Sequence, residues 1–175
     1  DLPNVAHLEG YGLDFGYTND PSSLVAVYRY NGAYVLDEVF YQKGMSNREI
    51  AESIITSGKA LVVADSAEPK SIDDIKGHGI NIIGANKGKD SVVNGIQYVQ
   101  DQKIMVTKRS INIIREYRNY LWVTDRDGKI LNEPEHQFSH SMDAIRYWFS
   151  KNINMRPSSG YQTEGVKPLF DEWGI

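Results

Sequence analysis

Gly10-Tyr11-Gly12-Leu13-Asp14-Phe15-Gly16-Tyr17 is a short run with strand character that breaks at Asn19-Asp20-Pro21, and it opens the segment that sets the architecture. Turn-forming residues end the run. Ser23 to Tyr30 is a second strand, rich in Val and Tyr. Asn31-Gly32 is a two-residue hairpin signal, because both positions of such a turn need positive φ. Tyr34 to Tyr41 then returns as a third strand. The spacing therefore predicts three consecutive antiparallel strands.

Beyond Tyr41 the period changes. Ser46 with Glu49 three residues later has the spacing of a capping box, and Ile50 and Ile54 continue as a helical stripe up to Gly58. Leu61-Val62-Val63-Ala64 is a continuous apolar run, the mark of a buried strand. A helix over 69–76, a strand over 80–83, a helix over 91–100, a strand over 104–106 and a helix over 111–117 come next. Tyr120 to Thr124 and Lys129 to Leu131 flank Asp127-Gly128 as a second hairpin. Ser139 to Phe149 is an amphipathic helix with Met142, Ile145, Trp148 and Phe149 on its apolar face. Strands followed by alternating strands and helices predict an α/β domain with a mixed sheet flanked by helices. We place this domain at residues 1–151. Residues 152–175, polar and interrupted by Arg156-Pro157-Ser158-Ser159-Gly160, read as an extended tail.

Composition narrows the chemistry. A chain of 175 residues, 41% hydrophobic and 24% charged, can bury one core. It has no cysteine, which removes disulfides, thiolate metal sites and cysteine nucleophiles. No apolar run approaches the roughly 18 residues of a membrane span, so no membrane partner is expected. The net charge of −4 argues against a uniformly basic nucleic-acid clamp. It does not argue against a site of clustered acids that cations offset. The spacing from Gly79 to Gly84 lacks the following Lys-Ser/Thr and is no phosphate loop.

Three aspartates stand out. Asp14 lies between Leu13 and Phe15 in the first strand, where a charge is costly without compensation. Asp65 directly follows the fourth strand, and sites in such sheets gather at the carboxyl ends of strands. Asp143 falls in the first turn of the last helix, where the dipole favours a carboxylate. Asp65 has an ordinary reading as a turn former and Asp143 as a helix-start residue; turn chemistry does not explain Asp14. His140, three residues before Asp143, shares its helical face.

This arrangement resembles the ribonuclease H, retroviral integrase and RuvC group. The wording is closer still to the C-terminal nuclease domain of phage terminase large subunits. The matching stretches are Gly12 to Tyr17 with Asp20-Pro21, Val63 to Pro69, and His140-Ser141-Met142-Asp143-Ala144-Ile145-Arg146-Tyr147. The resemblance implies a ribonuclease-H-like five-stranded mixed sheet with an added hairpin. It implies a metal-dependent endonuclease cutting concatemeric double-stranded viral DNA during genome packaging. Asp14 would bridge two Mg²⁺ or Mn²⁺ ions, and Asp65 and Asp143 would each complete one. Glu68 would be a further ligand or only the cap of the following helix. His140 would be a metal-proximal base or a group that orients water or phosphate.

Lys87, Lys89, Arg126 and Lys129 are the expected DNA contacts, positioning the backbone without reading sequence. The implied partners are an ATPase domain not contained in this chain, a small terminase subunit and a portal protein, in the host cytoplasm. Other readings stay open: a Holliday-junction-resolvase-like or other nuclease of the same superfamily, a nucleotide phosphotransferase of the actin-like or kinase type, and a non-catalytic docking module for a portal or motor subunit.

Overall fold

The computed structural model describes residues 1–88, 91–120, 122–124, 126–127, 130–134 and 136–153. In chain order the elements are β1 (His7–Asp14), β2 (Ser22–Tyr30), β3 (Ala33–Gln42), α1 (Asn47–Ser57), β4 (Leu61–Ala64), α2 (Pro69–Gly77), β5 (Ile82–Gly84), α3 (Ser91–Gln100), β6 (Ile104–Val106), α4 (Ile111–Asn119), β7 (Trp122–Thr124), β8 (Ile130–Pro134), a 3₁₀ turn (His136–Phe138) and α5 (His140–Ile153).

The local signals act as their chemistry dictates. Asn31 and Gly32 take φ of 47° and 75°, as the tight β2–β3 turn requires. Ser46 and Glu49 form the reciprocal capping box at the start of α1. The fold is the expected mixed α/β sheet, one strand wider than five. β1, β2 and β3 are antiparallel neighbours, β4 and β5 extend parallel from β1, and β6 adds parallel to β3, giving the order β5-β4-β1-β2-β3-β6. β7 and β8 form the separate hairpin. β5 starts two residues later than the apolar run suggests: Ile80 is buried, but in the loop ahead of the strand.

The sheet divides two cores. Tyr11, Leu13, Leu24 and Val62 face α1 and α2, while Val25, Val27 and Val63 face α5. β1 meets α5 through its glycines. A Cβ at Gly10 would overlap the Trp148 ring, and one at Gly12 would overlap the Ala144 carbonyl. Side chains on a strand alternate faces, so Gly10, Gly12 and Asp14 share the α5 side. The two glycines let the helix lie flush on the strand and so bring its first turn to Asp14.

α5 is more deeply enclosed than a one-sided amphipathic helix. His140, Ser141, Ala144 to Phe149 and Ser150 are all buried, because the sheet covers one side and α3 and α4 flank others. Phe149 packs edge-to-face on Tyr34 with ring centroids 4.8 Å apart. The helix continues through Ile153, two residues past the predicted end of the domain. The rest of the predicted tail, residues 154–175, lies outside the described residues. Among the described residues, no helix is long and apolar enough to cross a membrane.

Candidate metal centre

The sheet and α5 bring the three predicted aspartates to one place. Asp14 is the last residue of β1 and is 7% exposed. Leu13 pairs with Ala64 in the parallel β1–β4 ladder, and the Asp65 amide donates to the Leu13 carbonyl at 3.1 Å. Asp65 therefore leaves the sheet beside Asp14. From the other side α5 begins at His140, whose Nδ1 is 3.2 Å from Asp14 Oδ2, and Asp143 sits one turn on.

Two groups pin that helix start. Ser23 Oγ on β2 is 2.9 Å from Ser141 Oγ. Glu116 on α4, fully buried, accepts from the Ser141 amide at 2.6 Å and the Met142 amide at 3.2 Å. It also accepts from the Tyr41 hydroxyl at 2.7 Å. A carboxylate at amides left free in the first helical turn is favourable in both hydrogen bonding and dipole. Sequence reasoning does not single out Glu116. Its signal is a Glu three residues after the buried Ile113, on the inward face of its helix.

The three acids lie close enough to act on one another's charge. Burial pushes the Asp14 carboxyl up to about 7. The hydrogen bond and charge of His140 pull it down, and the nearby Asp143 and Asp65 carboxylates push it up again. Tyr147, one turn beyond Asp143, is also raised, first by burial and then by Asp143, Asp14 and Asp65 together. One phenol thus senses all three carboxylates. Burial lowers His140, but Asp14, Glu116 and Asp20 outweigh it and hold the imidazole above its ordinary value.

Two cations already stand on this cluster. Lys87 Nζ pairs with Asp65, whose Oδ1 also accepts from the Ala67 amide at 2.9 Å. Arg146 Nη2 donates to Asp143 at 3.0 Å. Gly95 makes room for it, because a Cβ there would press on the Arg146 stem. As placed, no three His, Asp or Glu side chains among the described residues are gathered tightly enough to clasp an ion.

The donor set nonetheless suits a hard divalent cation. It offers carboxylate oxygens only, and one of them belongs to a buried acid short of positive charge. Glu68 holds the N-cap position of α2 with no capping hydrogen bond from its side chain. Arg126 is exposed in the turn between β7 and β8; Lys89 and Lys129 fall outside the described residues. Lys87, expected in a free basic loop, is paired with an acid of the cluster, which its distance of 22 residues from Asp65 conceals in the sequence.

The chain has clear relatives. It is 38% identical over 151 residues to the terminase large subunit of Bacillus phage SPP1, covering 81% of this chain and 36% of that protein. It is 28% identical over 142 residues to the PBSX phage terminase large subunit of Bacillus subtilis strain 168, covering 78% of this chain and 33% of that one. The chain thus spans about a third of the length of these curated relatives. Among solved structures it superposes on the nuclease domain of the SPP1 large terminase with bound Mn. There the TM-score is 0.71 at 31% identity, over 83% of this chain and 86% of that one. The large terminase of a thermophilic bacteriophage shares the fold, with a TM-score of 0.69 at 22% identity over 86% of this chain and 41% of that one. The model of the terminase RNase H-like domain matches residues 14–151, and this chain belongs to that family.

Proposed function

We propose that this chain is a metal-dependent endonuclease domain that cuts double-stranded viral DNA during genome packaging. The observation that carries the reading is the buried Asp14, held by His140 on α5 and raised by its burial and then by the neighbouring Asp143 and Asp65. The SPP1 nuclease domain, similar over most of both chains and solved with Mn, supports it.

In this reading Asp14, Asp65 and Asp143 hold two Mg²⁺ or Mn²⁺ ions. Bound there, such a pair lowers the pKa of water and neutralises charge on the phosphoryl group. The chain's own residues prepare the site. His140 Nδ1 engages Oδ2 of Asp14, so that Oδ1 would be the oxygen offered to an ion. A partner that fixes a ligand in this way is typically worth about 10–100-fold in metal affinity or activity. Glu116 and Ser23 hold the start of α5, and so His140 and Asp143, against the carboxyl ends of the strands. Lys87 and Arg146 neutralise Asp65 and Asp143 and would yield those oxygens to the incoming ions.

Of the expected DNA contacts, Lys87 and Arg126 are the two described, and both are exposed. Arg126 stands ready for the backbone, and Lys87 would turn to it once released from Asp65. The ATPase domain, small subunit and portal belong to the same proposal, since both curated relatives are whole large subunits.

Plasmid nicking and linearisation in Mn²⁺ tests the reading. The unsubstituted chain is expected to cleave, and Asp14→Ala, Asp65→Ala and Asp143→Ala each to be inactive while keeping their circular dichroism spectrum. Cleavage at the unsubstituted rate by any one of the three would remove that residue from the site.

A further inference from the structure

We propose that a cleft beside the metal centre, walled by Lys43 and Arg115, is a phosphate subsite that holds the DNA backbone next to the cleavage position. The inference rests on the nuclease reading and extends it to residues that the carboxylate cluster does not include.

The cleft encloses about 340 Å³, the lower end of the range for sites that hold an organic ligand. Its lining includes Asp20, Tyr41, Lys43, Arg115, Phe138 and His140. His140 forms the link to the metal centre. Its Nδ1 touches Asp14 at 3.2 Å, and its Nε2 edge lies 3.8 Å from Asp20 within the cleft. One imidazole therefore separates the carboxylate cluster from this space, and a strand whose phosphate reaches Asp14 would run its neighbouring phosphate past His140.

The charge of the cleft suits that neighbour. Lys87 and Arg146, the cations on the other side of the cluster, are spent on Asp65 and Asp143. Lys43 and Arg115 are both exposed and make no ion pair with a carboxylate among the described residues. Among the described residues, Asp20 is the one acid lining the cleft, and its side chain is 46% exposed. The Arg115 guanidinium lies 5.5 Å from the centre of the Tyr41 ring, and the Tyr41 hydroxyl is anchored on Glu116. Stacking over an anchored ring fixes where the guanidinium points before any ligand arrives. Two cations with an apolar wall at Phe138 fit a phosphodiester and its sugar. They would position the backbone and carry no base preference.

Binding of a fluorescein-labelled 20-base-pair duplex, followed by anisotropy in EDTA across a salt series, tests the site. Lys43→Gln and Arg115→Gln are each expected to weaken binding about 5–10-fold at 0.1 M salt. The double variant should flatten the slope of log K against log salt by about two, close to one for each phosphate no longer neutralised. Lys43→Arg and Arg115→Lys should retain binding. Lys70→Gln, on α2 across the sheet, should bind like the unsubstituted chain. Unchanged affinity and slope in the double variant would overturn the proposal, as would an equal loss in Lys70→Gln. Should Arg115→Gln unfold the chain, the exposed Lys43→Glu decides alone, with at least a tenfold loss expected. Failure of the nuclease reading shows differently, as absence of Mn²⁺-dependent plasmid cleavage by the unsubstituted chain whatever the binding result.

Discussion

Two buried aspartates stand on strands of the same sheet and live in opposite ways. Asp37, on β3 and 1% exposed, is fully served. Arg109 meets it with Nε at 2.7 Å and with Nη2, and the Thr107 hydroxyl donates at 2.6 Å. Burial pushes that carboxyl up, but the hydrogen bonds from Arg109 and Thr107 and the Arg109 charge outweigh it and hold the acid below its ordinary value. Asp14, on β1, has among the described residues only His140 as a hydrogen-bond partner, and burial, with two further acids nearby, pushes it up to about 7. The first acid fastens Thr107, Ser110 and the approach to α4 onto β3. The second is left under-compensated, the condition expected of a group whose real partner is a ligand. Burial alone does not separate structure from function here; the balance of charge around each carboxylate does.

The largest test of this contrast is cleavage. Asp14→Asn is expected to abolish it, while Asp37→Asn should leave the rate per folded molecule within about threefold, measured on plasmid DNA in Mn²⁺.

Stability should respond in the opposite sense. A carboxyl whose folded pKa lies above its unfolded value is favourable only while protonated. Its contribution is full below about pH 4 and is lost as pH rises through about 7. His140 and Glu116, both raised, push in the same direction. In chelator the protein should therefore lose melting temperature between pH 5 and 8. Asp14→Asn should reduce that loss and stabilise the chain at pH 8, by up to roughly 4 kcal/mol for a carboxyl held near 7. Asp37 has the reverse sign: its stabilisation is present above its unfolded pKa and fades as pH falls through its lower folded value. Melting curves of both Asn variants from pH 3 to 8 should thus diverge in opposite directions. Parallel curves would erase the distinction.

His140→Ala should cost about 10–100-fold in Mn²⁺ affinity, read by calorimetry, because Asp14 loses the group that orients it. The smallest effect is on the other acid. Arg109→Ala should lower stability by about 2 kcal/mol in urea melts. That is below the roughly 3–5 kcal/mol typical of breaking a fully buried pair, because the Arg109 side chain is itself 71% exposed.

Much of this is legible in the sequence. Asn31-Gly32 and the Ser46–Glu49 box are local signals, and the β2–β3 turn and α1 that they mark form where expected. The first strand-prone run forms too, but as His7–Asp14, ending at the acid and not at Tyr17. The position of Asp14 also follows from local neighbours, since a charge among apolar strand residues needs a reason. Partnerships that exist only after folding are hidden. Lys87 with Asp65 and Glu116 with the start of α5 join residues 22 and 25 apart through the tertiary fold, and nothing in either's own neighbourhood announces the other. Asp37 gives no sign of its role because its partner Arg109 is 72 residues away. The alternation of Gly10, Gly12 and Asp14 is in plain view. Its meaning, a close helix approach that ends at the acid, needs the presence of α5 to be read.

The most direct measurement is the anomalous difference map of a crystal soaked in Mn²⁺. The account predicts manganese peaks within about 2.0–2.4 Å of carboxylate oxygens of Asp14, Asp65 and Asp143, with Lys87 and Arg146 displaced from those oxygens. Saturating Mn²⁺ that leaves Lys87 on Asp65 and Arg146 on Asp143, with no peak at Asp14, would contradict it.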